Sequence, residues 1–157
     1  MLVILRDTRE QDPLSFTGVD GVDKVEDIGL LYGDYACMID GKKCPVFFER
    51  KGLGDLFSTM THGYDRFKRE MARAKEHGHK LILITEGTYS DVLDGYSHSE
   101  FSGEAMVKKL QTLRIKYDLE WWPCMNRKEM AHQIASTFSA IQRDWDKKDS
   151  CSLKTSL

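Results

Sequence analysis

Asp34, Glu49 and Lys51 are the residues of this chain whose types and spacing could do chemistry together. In the stretch FFERKGLGD, Phe47 to Asp55, an apolar run passes straight into Glu49, Arg50 and Lys51. A strand bound only for a core has no use for a carboxylate, a guanidinium and an ammonium in succession. Upstream, LLYGDYACMIDGKKCPVFFER reads as a β-hairpin around Asp40-Gly41, a favoured two-residue turn. With that turn, Ile39 faces Lys42, Cys37 faces Cys44 and Asp34 faces Phe47. Side chains alternate along a strand, so Phe47, Glu49 and Lys51 share one face with Asp34, and Arg50 points the other way. Asp34 and Glu49 are then diagonal neighbours, roughly 7–8 Å apart at the backbone. Two such carboxylates suit Mg²⁺ or Mn²⁺. A lysine beside them can orient or help deprotonate a water and offset developing negative charge. The combination matches phosphodiester hydrolysis. Taken from spacing alone, the same residues equally suit a surface hairpin whose Glu49 and Lys51 form a solvated ion pair. Gly52 and Gly54 are expected to turn the backbone tightly so that Asp55 folds back.

The elements that must position these residues are legible from periodicity. LVIL near the start and KLILITEG from Lys80 read as continuous apolar strands buried on both faces. TGVDGVDKVEDIG is polar and reads as a loop with a helical turn. LGDLFSTMTHG fits a short helix. YDRFKREMARAKEHG fits a longer one, with Phe67, Met71 and Ala74 on one face and Gly78 as the stop. SGEAMVKKLQTLRIKY is helical, with Met106, Leu110 and Leu113 in step. LEWWPCM is a short extended segment. A last helix starts at the N-cap Asn126, with Glu129 three residues on, and carries Met130, Ile134, Phe138, Ile141 and Trp145. From Lys147 the chain is polar and reads as a frayed tail. Strands alternating with helices around a central hairpin imply an α/β domain with a mixed sheet.

Composition narrows the function classes. A chain of 157 residues with 41% hydrophobic and 31% charged residues is one globular domain with a sizeable core. The net charge of −2 supplies no global cationic field, so a polyanion must be met by local charge or bound cations. Cys37, Cys44, Cys124 and Cys151 form no C-x-x-C pair, which argues against zinc and for free thiols in a reducing compartment. No segment has the length of a signal sequence or a membrane span. Neither a P-loop nor a G-x-G-x-x-G is present, so nothing points to nucleotide binding. None of the five histidines pairs at metal-ligand spacing. Trp121-Trp122 suits base stacking or, more simply, a core.

Read together, Gly33-Asp34-Tyr35 followed by ERKGLGD at Glu49 to Asp55 resembles the signature of the XPF-type nuclease family: G-D, a variable gap, then E-R-K-x-x-x-D. DTRE at Asp7 to Glu10 resembles that family's first motif, D-x-R-E. HGYDRFKREMARAKE is similar to its arginine-bearing helix and LILITEG to the strand that follows. The resemblance covers roughly Leu2 to Ile141. It implies a restriction-endonuclease-like three-layer fold of the PD-(D/E)XK superfamily, with a central mixed sheet flanked by helices. The expected organisation is a nuclease domain over residues 1–146 and a flexible tail over 147–157.

The resemblance also implies roles. Asp34, Glu49 and Glu10 would be metal ligands for Mg²⁺ or Mn²⁺, and Lys51 the water-orienting base or electrostatic partner. Arg50 would hold the active-site strand or the phosphate, with its carbonyl at the metal, and Asp55 would anchor the following loop and helix or position Arg50. Asp7 would lie near the metal and Arg9 near the scissile phosphate. Arg66 matches the family's helix arginine, and Arg69 and Arg73 extend it at helical spacing into a phosphate-tracking stripe or a solvated face. Lys108 and Lys109 read as solubilising. Two departures are Tyr64 and Asp65, inserted before Arg66, and Glu70, where relatives often carry glutamine. The function implied is a metal-dependent endonuclease acting on branched, flapped or junction DNA in repair or recombination. A non-catalytic DNA-binding scaffold that partners another nuclease is the alternative. No tandem helix-hairpin-helix module follows the motifs, which points to a stand-alone nuclease of phage or bacterial origin. The location expected is the cytoplasm, or the nucleus of a eukaryote. Pairing of nuclease domains into a homodimer or heterodimer is the expected assembly.

Overall fold

A computed structural model describes residues 1–155. The strands are β1 (Leu2–Asp7), β2 (Lys24–Ile28), β3 (Tyr35–Ile39), β4 (Lys42–Lys43), β5 (Val46–Gly52), β6 (Lys80–Glu86) and β7 (Glu120–Cys124). The helices are α1 (Leu53–Thr61), α2 (Tyr64–Glu76), α3 (Tyr89–Asp94), α4 (Gly103–Tyr117) and α5 (Arg127–Thr155). The strands form one seven-stranded sheet in the order β2-β1-β3-β5-β6-β7, with β4 paired to β3. β3 runs antiparallel to both β1 and β5, while β1–β2, β5–β6 and β6–β7 are parallel, so the sheet is mixed.

Alternation along the strands builds two cores. Val3, Leu5, Phe47, Leu81 and Leu83 pack with Leu56, Phe57, Phe67, Met71 and Leu110 of α1, α2 and α4. Leu2, Ile4, Tyr35, Phe48, Ile82 and Ile84 pack with Met130, Ile134 and Phe138 of α5. The result is the expected three-layer arrangement of helices on both faces of a mixed sheet. Phe47 and Phe48, adjacent in sequence, belong to opposite cores. The Trp pair is packing: Trp121 donates its indole N–H to Thr85 Oγ1 at 3.0 Å, and Trp122 meets Phe48 edge-on.

Several elements differ from what the sequence leads one to expect. The segment read as a polar loop contains β2, an edge strand with no fully buried residue; lacking an apolar alternation, it leaves no signature. The short helix α3 is set by a capping box between Thr88 and Asp91. Residues from Lys147 continue α5 as exposed helix to Thr155. Gly52 has ordinary extended backbone and simply caps α1, so β5 enters the helix without a tight turn. Gly54 instead lets Tyr96 approach closely, its ring lying 3.0 Å from where a Cβ would stand. Among the described residues, no helix is long and apolar enough to cross a membrane.

Candidate active site

The hairpin forms as expected at its tip and differs at its base. Ile39 pairs with Lys42 and Met38 with Lys43, while Asp40 and Gly41 adopt the positive φ that such a turn needs. At Pro45, which has no N–H for the ladder, β5 gains two residues on β3, and Tyr35 pairs with Phe48. Asp34, one residue before β3, is therefore set against Phe48 next to Glu49, where it was expected opposite Phe47. A slip of two preserves the face, so the shared orientation of Asp34, Glu49 and Lys51 survives. The Asp34 N–H donates to Phe48 O at 2.7 Å, and Asp34 Oδ2 accepts the N–H of Arg50 at 2.7 Å. Cys37 and Cys44 lie across this hairpin as free buried thiols.

Asp34, Glu49 and Lys51 lie in a cleft of about 1060 Å³ between the sheet and α1–α2. Glu49 is 9% exposed. Lys51 Nζ sits 3.2 Å from Glu49 Oε1. Burial, with repulsion from Asp34 and Glu70, pushes the Glu49 carboxyl up to about 8 despite Lys51. Burial and the Glu10 charge raise Asp34 to about 6, against the hydrogen bond from the Arg50 N–H. The protein thus holds two desolvated carboxylates side by side with one ammonium for compensation.

That surplus of negative charge fits a hard divalent cation. Mg²⁺ commonly takes one or two carboxylates and fills its remaining positions with water and phosphate oxygens, which is the donor set Asp34 and Glu49 offer. Among the described residues, no group of three or more His, Cys, Asp and Glu side chains is arranged to hold a metal ion. Glu10, expected as a third ligand, does not line the cleft. It accepts from Arg50 Nε at 2.9 Å and Nη2 at 2.7 Å. Arg50 occupies the opposite face of β5 from Glu49, and Glu10 follows it there. Burial raises the Glu10 carboxyl, but the Arg50 hydrogen bonds outweigh it and leave Glu10 below the usual range.

The rest of the expected set divides. Asp7, 3% exposed, accepts from Arg9 Nε at 2.8 Å and from the Leu30 N–H at 2.9 Å. It is a buried anchor for the segment before Asp34, and Arg9 reaches past it to Leu30 O. Asp55 is exposed in the first turn of α1 and plays no part in holding Arg50, whose partner is Glu10. Arg66, Arg69 and Arg73 all line the cleft, together with Arg9 and Lys51. The stripe thus runs along the cleft, with all three arginines exposed. Lys109 is half-buried: it donates to Met60 O and lies over the Tyr64 ring, which makes it a structural clamp. Glu70 is the cleft residue that sequence reasoning passed over as a site. Its position one turn from both Arg66 and Arg73 was the available signal.

Known proteins add two likenesses of fold. XPF from Aeropyrum pernix matches with a TM-score of 0.65 at 21% identity, covering 85% of this chain and 58% of that one. XPF from Aeropyrum pernix in complex with DNA matches with a TM-score of 0.66 at 20% identity, covering 92% and 66% respectively. The chain therefore spans less than two thirds of either structure. Among curated proteins, none matches. The model of the ERCC4 domain matches residues 6–137, the stretch that contains the cleft and both strands of its floor, and the chain belongs to that XPF-type family.

Proposed function

We propose that this chain is a metal-dependent DNA endonuclease that hydrolyses phosphodiester bonds in branched, flapped or junction DNA. The observation that carries the reading is half-buried Asp34 beside buried Glu49 on the floor of a cleft lined by Arg9, Arg66, Arg69 and Arg73. Family membership supports it, as does a structural relative solved with DNA.

Asp34 and Glu49 are the residues that would hold Mg²⁺ or Mn²⁺. The bound ion would supply Lewis acidity and an activated water. The wall of arginines binds the phosphates, neutralising backbone charge that a protein of net charge −2 cannot otherwise attract. Lys51, tethered to Glu49, orients water and offsets charge developing on the phosphate. Arg50 acts from the other face, its guanidinium held by Glu10 and its N–H holding Asp34. Asp7 and Arg9 fix the approach to Asp34. Residues 1–146 form the nuclease unit; repair or recombination is the setting, in the cytoplasm or a eukaryotic nucleus. Pairing through the nuclease domain would use half-buried Ile141 and Trp145.

The second reading is a non-catalytic DNA-binding scaffold that partners another nuclease, for which the exposed arginines along the cleft would serve without any metal. Labelled flap, fork, splayed-arm and four-way junction DNAs, incubated with Mn²⁺, Mg²⁺ or EDTA, separate the two. The nuclease reading expects metal-dependent cutting that is lost in Asp34→Ala and Lys51→Ala. Tight junction binding with no cutting, equal in wild type and variants, would instead favour the scaffold.

A further inference from the structure

The segment from Leu30 to Gly33, which leads into Asp34, is held from two sides. Leu30 is fixed through its N–H to Asp7 Oδ1 at 2.9 Å and through its carbonyl to Arg9 Nη2 at 2.8 Å. Leu31 O accepts from Arg73 Nη2 at 3.2 Å, and Arg73 also lies over the Tyr32 ring. The Tyr32 hydroxyl reaches His77 and His79 beyond the end of α2. The Gly33 N–H donates to Glu70 Oε1 at 3.1 Å. Gly33 has φ +72, and a Cβ there would meet Phe48 O at 3.0 Å, so the turn one residue before Asp34 favours glycine.

Glu70 stands among the arginines of the cleft wall without an ion pair to any of them among the described residues. Its carboxylate turns inward to the Gly33 amide. Two of the other anchors are made by Arg9 and Arg73, guanidinium groups that a phosphate attracts. When DNA takes those groups, the carbonyls of Leu30 and Leu31 lose their donors. The Glu70 anchor is of the opposite kind: a carboxylate has no attraction for phosphate, and its hydrogen bond to Gly33 persists when the wall is filled.

We propose that Glu70 is a positioning residue that ties the turn before Asp34 to the DNA-gripping helix α2 and so holds that carboxylate in register once DNA is bound. What the role requires is a hydrogen-bond acceptor at this place, which glutamine also supplies. The inference rests on the nuclease reading for its rate measurement and not for its metal measurement.

The test compares wild type, Glu70→Ala and Glu70→Gln, each first checked for an unchanged thermal melt. Single-turnover cleavage of a junction at saturating enzyme is expected to slow about tenfold or more in Glu70→Ala. Junction affinity should stay within about threefold of wild type or tighten, because a negative charge has left the arginine wall. Glu70→Gln, which keeps the acceptor, should return the rate to within about threefold of wild type. An unchanged rate in Glu70→Ala, or a Glu70→Gln variant as slow as alanine, would overturn the proposal. Should wild type bind the junction but fail to cut it, the nuclease reading falls, and Mn²⁺ titration of the three junction complexes decides this one. Weakening by about tenfold in alanine with recovery in glutamine supports positioning by Glu70; equal affinity in all three, or equal weakening in both variants, refutes it.

Discussion

Replacing Glu10 by alanine distinguishes an anchor from a metal ligand. The Glu10 and Arg50 side chains are 7% and 10% exposed, and they share two hydrogen bonds of 2.9 and 2.7 Å. Removing one partner of such a pair strands the other as a buried charge, at a cost of about 3–5 kcal/mol. For a domain of 157 residues, each kcal/mol moves Tm by about 3 °C. Glu10→Ala is therefore expected to melt about 9–15 °C below wild type. Its Mn²⁺ affinity, measured by calorimetry below the melt, should fall by less than about threefold, since Asp34 and Glu49 remain. The apolar double replacement Glu10→Leu with Arg50→Met removes both charges and should recover to within about 2 kcal/mol of wild type, closing a cycle with strong coupling. A Glu10→Ala protein that melts within about 3 °C of wild type yet binds Mn²⁺ more than tenfold more weakly would show the opposite. Glu10 would then be a metal ligand, and the assignment of its carboxylate to Arg50 would fall.

Asp34 and Glu49 are raised to about 6 and about 8, so the folded metal-free protein keeps protons that the unfolded chain releases near pH 4. Stability from these two groups is present below about pH 4 and is lost as pH rises through about 6 and then about 8. The metal-free Tm should therefore fall between about pH 5 and 8.5, Asp34→Asn and Glu49→Gln should flatten that slope, and Mn²⁺ should lift wild type alone at the high end. A wild-type slope equal to that of both variants would refute the burial argument. Alanine at Arg66, Arg69 or Arg73 should weaken junction binding and reduce the salt slope by about one counterion each, measured by anisotropy from low to moderate salt. An unchanged slope in all three would mean the wall does not meet phosphate. Gly33→Ala should cost about 1–3 kcal/mol in denaturant unfolding, because its φ of +72 and the Phe48 carbonyl both oppose a Cβ. A stability equal to wild type would show that the turn relaxes freely.

The layers of the fold were largely readable because their signals are local and apolar. Continuous runs marked β1 and β6, and the spacing of Phe67, Met71 and Ala74 marked α2, whose stop at Gly78 has the expected positive φ. β2 was hidden because an exposed edge strand needs no apolar alternation. The alternation on β5 correctly separated Glu49 and Lys51 from Arg50, since a period of two survives the extra pair of residues at Pro45. What alternation does not reveal is register, and so Tyr35 pairs with Phe48 and Asp34 is set against Phe48 instead of Phe47. Motif order brought Asp7, Arg9 and Glu10 near the site, but a motif does not say which partner a side chain takes.

From the sequence by itself came the mixed α/β class, the helices and strands with strong apolar periods, and the set of charged residues gathered near one sheet end. These follow from patterns within a few residues of each position. Only the tertiary structure decided how those charges are shared. Glu10 and Arg50 neutralise each other on one face of β5, while buried Glu49 and half-buried Asp34 are left beside a single lysine on the other. Arg69 and Arg73 face the cleft because α2 docks its apolar side onto the sheet and turns that edge toward Asp34. Burial and charge pairing depend on residues distant in the chain, and it is their sum at one place that creates a demand for a cation.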